Sequence, residues 1–387
     1  LEEAARAYET IMNPAESSVA VLLRYPAADD ERAAESFAPR RRVEIARDRV
    51  EPRGDAKELR VALVGAGNIA RWAHVPALKK IPGVKLAAVY SASGSRGKSY
   101  ALRFGADYCA SDYDEILRDE SIDAVLIATR NQHHAAQALA ALAAGKHVFV
   151  EKPMALTVDE CRALARAVRE SGKQLTVGFN RRFAPFYREL KSQLARRAGP
   201  AVVNCRVNSP GISGSYWMAD PAIGGAILGE AVHFVDLMFW LLDSEPAAVS
   251  AYSLPTGGEG TVGENNVAAS FRFADGSVAN LTYCTVGSKT SAGERVEAFA
   301  EGLGLATEDF KRLAIKKGTL SARSRWWGEK GYAAQLESFV KSMREGRAPE
   351  VTVLDGARAT IGCLALMDSA RSSEPREIDL AAVMSDE

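Results

Sequence analysis

Between residues 59 and 180 short, uninterrupted apolar runs alternate with longer amphipathic ones. Arg60–Val64 (RVALV), Val84–Ser91 (VKLAAVYS), Ala124–Ala128 (AVLIA), His147–Val150 (HVFV) and Gln174–Val177 read as strands. The segments between them, one running to Lys80 and then Lys98–Phe104, Tyr113–Arg118, His134–Ala144 and Val158–Glu170, read as helices. Strands without polar alternation are buried on both faces, and strict strand-helix alternation gives a parallel sheet with helices on either side. The expected fold class is therefore α/β, with a doubly wound domain over 59–180.

Past Pro200 the rhythm changes. Ala201–Asn208, Ala247–Ser253, Asn266–Phe273 and Ser277–Thr285 read as strands joined without helices, and Asp275-Gly276 signals a hairpin. Helices are expected at Glu230–Leu242, Tyr332–Glu345 and Leu354–Ala370, so 181–387 reads as an α+β domain with a mostly antiparallel sheet. At the other end, Leu1–Asn13 has helical spacing and Ser18–Arg24 suits a buried strand. Residues 27–58 are polar and mix acids with Arg40, Arg41, Arg42, Arg47, Arg49 and Arg53, as a solvated linker does.

The chain has 387 residues, enough for two or three domains, and its 47% hydrophobic content excludes intrinsic disorder. Lys plus Arg (49) equals Asp plus Glu (49), so no net field draws it to nucleic acid or an anionic membrane surface. The most apolar stretch, Ala135–Gly145, falls far short of the roughly 20 residues of a membrane-spanning helix. A cytoplasmic protein is expected, without nucleic-acid or membrane partners. Its five cysteines are scattered and lack the paired short spacing of a zinc site, so no metal is expected and they read as small buried hydrophobes.

Candidate chemistry begins at Gly65-x-Gly67-x-x-Ala70, between a strand and a helix. Such a turn needs glycine to bend tightly, glycine again to let pyrophosphate approach the backbone, and a small residue to pack helix on strand. The turn, with Asn68 and Ile69, is a candidate dinucleotide cradle. An acid at the end of the second strand would favour NAD through the ribose hydroxyls. The sequence there is Ser91-Ala92-Ser93-Gly94-Ser95-Arg96-Gly97-Lys98, and Ser91, Ser93 and Arg96 instead suit a 2′-phosphate. NADP is favoured, with NAD held by backbone as the alternative. Thr129, Asn131 and His134 follow the next strand end, and Glu151-Lys152-Pro153 the one after, where a bound dinucleotide would run. Lys152 there is placed to orient a nicotinamide, hold a substrate hydroxyl or move its proton.

The glycine turn, Thr129-x-Asn131-x-x-His134, Ala144-Gly145-Lys146-His147-Val148 and Glu151-Lys152-Pro153 together resemble the glucose-fructose oxidoreductase, inositol dehydrogenase and rhizopine catabolism (Gfo/Idh/MocA) family. The resemblance implies a Rossmann domain, then an α+β domain whose open sheet often supports homo-oligomers, and hydride transfer between NAD or NADP and a carbinol of a sugar, nucleotide sugar or cyclitol. It makes His233 the acid/base beside Lys152, which suits a side chain that titrates near neutrality. His74, His133 and His147 read as structural. The family's Asp four residues before this His is Gly229 here, with Glu230 one place along, about 100° around a helix. That departure leaves a second reading open, a non-catalytic nicotinamide-binding regulatory or scaffold module.

Gly178-Phe179-Asn180-Arg181-Arg182-Phe183-Ala184-Pro185, Tyr216-Trp217 and Gly229–Asp236 further resemble bidomain proteins in which a zinc-type alcohol dehydrogenase precedes this module. On that resemblance residues 1–26 are the end of such a domain and the chain is the later part of a longer polypeptide. Asn180, Arg181, Trp217 and Glu230 then join His233 as candidate contacts to a small polar substrate. The alternative for the Arg pair is plain solvation after a strand.

Overall fold

Two sheets carry the structure, a computed structural model that describes residues 41–45, 58–212, 214–255, 263–324 and 328–384. The first has seven strands: β1 (Arg42–Glu44), β2 (Leu59–Val64), β3 (Val84–Tyr90), β4 (Tyr108–Ala110), β5 (Ala124–Ile127), β6 (His147–Val150) and β7 (Leu175–Val177), in the order β1-β4-β3-β2-β5-β6-β7. β2 pairs in parallel with both β3 and β5, and only β1 runs antiparallel. Winding outward in both directions from β2 leaves a crevice at the carboxyl ends of β2 and β5, where this class of sheet places its ligands. The apolar runs behave as their sequence requires: β5 and β7 are buried throughout, and β2 over its last four residues.

Three elements here differ from expectation, the strand β4 among them, since it was not foreseen. The stretch taken as solvated linker supplies β1, which pairs with β4 through Arg42↔Ala110, Val43↔Cys109 and Glu44↔Tyr108. Three residues each are too short to register as a hydrophobic pattern, and the Arg42 guanidinium is anchored 3.6 Å over the Tyr108 ring. The helix after the glycine turn starts as a π-turn over Ala70–His74 and only then becomes α-helical, over Val75–Leu78. Pro76 lacks the N–H that an unbroken α-helix would use there, and the wider turn moves it to a helix start.

The second sheet has nine strands in the order β15-β14-β13-β12-β8-β11-β10-β9-β16. β8 (Val202–Asn208), β9 (Pro246–Ser253), β10 (Val267–Phe273) and β11 (Val278–Cys284) match the four expected strands to within two residues. β12 (Glu294–Ala300), β13 (Leu303–Glu308), β14 (Arg312–Lys317) and β15 (Thr319–Ser324) are additional, and β16 is Arg376–Glu377. β12 is ERVEAFA, whose inward face carries Glu294 beside Val296 and Ala298 while Phe299 points outward, so the alternation gives a weak hydrophobic signal. All pairs are antiparallel except β8 with β11. The helices Val232–Leu242 and Val353–Ser372 pack together on one face, closely enough that a Cβ at Gly362 would lie 2.8 Å from the Phe239 ring.

The sequence boundary at 180 is not kept by the core. The helix Tyr332–Glu345 returns to the first sheet, where Leu336, Phe339 and Val340 share one core with Val61, Leu63 and Phe149. Gln335 donates to the carbonyl of Val177 at 2.7 Å, and Thr176 to that of Val351 at 2.8 Å, stitching the edge of the first sheet to the later chain. Residues 1–40, which hold the expected helix and strand of a preceding domain, lie outside the described residues. Among the described residues no helix is long and apolar enough to cross a membrane.

Candidate active site

The glycine turn closes onto the crevice. Gly65 has φ +108°, and a Cβ there would lie 2.6 Å from the Ala128 carbonyl at the end of β5, so only glycine lets the two strand ends approach. A Cβ at Gly67 would meet the Ala128 carbonyl at 3.7 Å, an ordinary contact, while the Gly67 carbonyl accepts from the Tyr100 hydroxyl at 3.1 Å, and Ala70 is fully buried. Asn68 is exposed and Ile69 half-buried. At the end of β3, Ser91 is buried and its N–H bonds Ala110, whereas Ser93, Ser95 and Arg96 are exposed at the head of the helix Gly94–Phe104.

The end of β5 splits its candidates. Thr129 donates from Oγ1 to Gln137 at 2.6 Å. Asn131 is buried, and its Nδ2 has no hydrogen-bond partner, which costs free energy unless a bound group accepts from it. His134, expected to touch a cofactor, is instead turned inward. The ring lies between the Pro153 carbonyl, 2.8 Å from Nδ1, and the Thr129 carbonyl, 3.2 Å from Nε2, and its single N–H when neutral donates to one of the two.

That turn carries Lys152. Its ammonium donates to the Gly229 carbonyl at 2.6 Å, joining the first sheet to the later chain. Burial lowers the ammonium's pKa, with Arg181 adding to the effect and Glu151 and Glu230 opposing it. Glu151 is buried; desolvation alone would raise its carboxyl, but the hydrogen bond and charge of His74, with Lys152 and His134, hold it below the usual carboxylate range.

The opposite wall is built by Gly224 and Gly225, whose positive φ (+90° and +57°) turns the chain into a π-turn over Ile227–Ala231. Asn265 locks that turn, accepting from Ala226 N–H at 2.7 Å and donating to Ala219 at 3.1 Å. The π-turn leads into the helix Val232–Leu242 and places His233, 6% exposed, beside the Phe179 ring with Nδ1 unpartnered. Burial, then the charges of Arg181, Lys152 and Lys330, push His233 well below its ordinary pKa, which keeps the imidazole neutral.

Glu230, one place along from Gly229, is engaged by other groups. Its Oε2 accepts from Ser209 at 2.7 Å and from Tyr283 at 2.6 Å, while its charge supports Lys152. Gly229 has no room for an acid: a Cβ there would lie 2.4 Å from Cγ of Met218.

The remaining candidates are tied up within the protein. Asn180 is buried, donates to Lys330 O at 2.6 Å and leaves Oδ1 unpartnered. Arg181, read as a substrate contact or a solvated side chain, is not solvated: it pairs with Glu294 at 2.7 Å and stacks 4.3 Å from the Phe234 ring centre. Its neighbour Arg182 grips Asp236 through two hydrogen bonds and reaches Asp355 at 3.1 Å. Trp217 has one face covered by Arg130, 4.5 Å from the ring centre. Met218, Ser209, Tyr283, Lys330 and Glu294 belong to the site and were not singled out from the sequence. Only Met218, next to Trp217, stood near a signal; the others lie on unrelated segments that folding brings together.

Comparison with known proteins matches two successive parts of the chain. The family model described as an oxidoreductase family with an NAD-binding Rossmann fold matches residues 59–179, and the GFO/IDH/MocA C-terminal domain model matches 199–302. The 1,5-anhydro-D-fructose reductase of Ensifer adhaerens is 28% identical over 335 residues, 83% of this chain and 98% of that protein. An inositol 2-dehydrogenase of Acidothermus cellulolyticus is 29% identical, covering 82% and 94%. The solved structure of GenD2 from gentamicin A biosynthesis, in complex with NAD, superposes with a TM-score of 0.74 at 25% identity, covering 85% of this chain and 99% of that one. The two domain models of one family thus account for more than half of the residues, in the order the sheets follow, and the chain belongs to that family, the Gfo/Idh/MocA oxidoreductases.

Proposed function

We propose that this oxidoreductase moves a hydride between a nicotinamide cofactor and a carbinol of a sugar, nucleotide sugar or cyclitol. The observation that carries the reading is the meeting of Lys152 and His233 across the crevice, with the Lys152 ammonium bound to the backbone four residues before His233. The residues fit a dinucleotide: the Gly65–Gly67 turn opens at the switch point of the sheet, and buried Asn131 offers an amide donor with nothing to bond. When bound, the nicotinamide supplies the hydride acceptor or donor. Lys152 has ammonium protons beyond the one given to Gly229, and these hold the alcohol oxygen. His233, neutral in its buried and cation-rich surroundings, accepts the hydroxyl proton in oxidation and returns it in reduction. The names of the reductase and the inositol dehydrogenase among its relatives support a polyol substrate.

Lys152→Met tests this. Turnover should fall about a hundredfold or more, the scale of a lost proton-handling group, while cofactor binding followed by fluorescence persists. Full turnover in that variant would overturn the assignment.

For the cofactor, the Ser-rich end of β3 and exposed Arg96 support use of NADP, while the family's NAD-binding description and the NAD complex of GenD2 support NAD. We propose that the chain accepts both. Self-association through the open face of the second sheet is supported by exposed Val202, Phe299 and Tyr252 there. A preceding zinc-type alcohol dehydrogenase domain rests on the sequence resemblance alone, and the chemistry of Lys152 and His233 does not need it.

A further inference from the structure

His74 and Glu151, 77 positions apart, meet beneath the turn that carries Lys152, with Nε2 of the ring 2.6 Å from Oε1 of the carboxylate. His74 is 1% exposed and Glu151 7%. The second carboxylate oxygen, Oε2, accepts the backbone N–H of Lys152 at 3.2 Å. Behind it is Gly178, where a Cβ would lie 3.0 Å from the carboxylate, so the group is pressed against bare backbone with little room to swing. The imidazole is held by rings set edge-on, Phe149 at 5.2 Å and Tyr332 at 5.9 Å between centres, and not by a second hydrogen bond, since its Nδ1 is buried and unpartnered. An orienting hydrogen bond to an otherwise mobile carboxylate is what secures a functional group one step removed.

We propose that His74 is a positioning residue for Lys152: its Nε2–H holds the Glu151 carboxylate in place, and the carboxylate fixes the backbone from which the Lys152 ammonium projects. The proposal rests on the assignment of Lys152 to the reacting centre. Electrostatics run in the same sense. Glu151 faces His74, Lys152, His134 and Tyr332, and Lys152 faces Glu151, Glu230, Arg181 and His233. With the His74 donor removed, buried Glu151 takes up a proton more readily, and Lys152 loses part of the support for its ammonium form.

The test uses His74→Leu, Glu151→Gln, their double variant and His74→Gln, whose amide can still donate to Glu151. Two quantities are read: kcat and KM for a polyol substrate, and the pH dependence of Lys152 acylation by acetic anhydride, scored by peptide mass spectrometry. His74→Leu and Glu151→Gln should each lower kcat about tenfold with KM little changed, since small displacements of a reacting group cost this much or more. Both should move the acylation midpoint of Lys152 to lower pH, the double variant no further than either, and His74→Gln should stay near the parent. A folded His74→Leu or Glu151→Gln with the parent's kcat and acylation midpoint would overturn the proposal. If His74→Leu does not fold, an unmoved midpoint in Glu151→Gln overturns it by itself. Acylation needs no substrate, so a shifted midpoint in a chain without polyol turnover would support the positioning role while refuting the functional reading.

Discussion

Arg96 stands exposed with Ser93 and Ser95 at the head of Gly94–Phe104 and has no acid beside it in the sequence. A guanidinium so placed is free to pair with a 2′-phosphate, a charge-assisted contact worth about 1.5–3 kcal/mol. Arg96→Ala should therefore raise KM for NADP tenfold or more and leave KM for NAD unchanged, as steady-state kinetics with the two cofactors would measure; equal effects on both would remove Arg96 from the choice. Among single residues, the Glu-Lys-Pro turn singled out Lys152 and the family resemblance singled out His233. The pairing of Arg181 was not legible. Its partner Glu294 is 113 positions away, and nothing near Arg181 in the chain announces that its charge will be spent inside the protein.

The π-turn Ile227–Ala231 shows how one element changes the chemistry available to its neighbours. It presents the Gly229 carbonyl to Lys152 and brings Met218 over the position where the sequence resemblance leads one to expect an acid. Gly229→Asp alone should overpack this spot and cost about 1–3 kcal/mol, read as a lower urea midpoint. Adding Met218→Ala should recover most of the loss; failure to do so would mean that the overlap with Met218 is not its cause. Element type followed pattern where the pattern was strong, as in the buried β2, β5 and β6. It failed for β12 to β14, where the inward face mixes Leu305 and Leu313 with the polar Glu294 and Thr307, and for the π-turn, whose extra residue per turn leaves no compositional trace.

Across the whole molecule, burial sets an acid limit. Desolvation holds His134, His147 and His233 below the ordinary histidine pKa. Above about pH 6.5, the unperturbed histidine value, these rings are neutral whether the chain is folded or not. Below it the unfolded chain binds protons that the folded chain refuses, so stability falls as pH falls, by up to about 1.4 kcal/mol per pH unit for each fully buried ring. Glu151, whose folded pKa is depressed, adds its own loss further down, as pH drops below the normal carboxylate range. Urea midpoints measured from pH 7 to 5 should decline steadily; a flat profile would mean that the histidines are not buried as neutral rings.

By itself the sequence determined what is local: the apolar runs of the parallel sheet, the glycine turn between β2 and its helix, the Glu-Lys-Pro turn, and the succession of an α/β part and an antiparallel part. Each depends on neighbours within a few residues, whose spacing and chemistry are written along the chain. Tertiary structure alone decided which charges remain free. It spent Arg181 on Glu294 and Arg182 on Asp236, gave Glu230 to Tyr283 and Ser209, and set His74 under Glu151. It also carried the helix Tyr332–Glu345 back to the first sheet. The physical reason is that pairing of buried polar groups depends on distance in space, and here the partners are separated by tens to more than a hundred residues of chain.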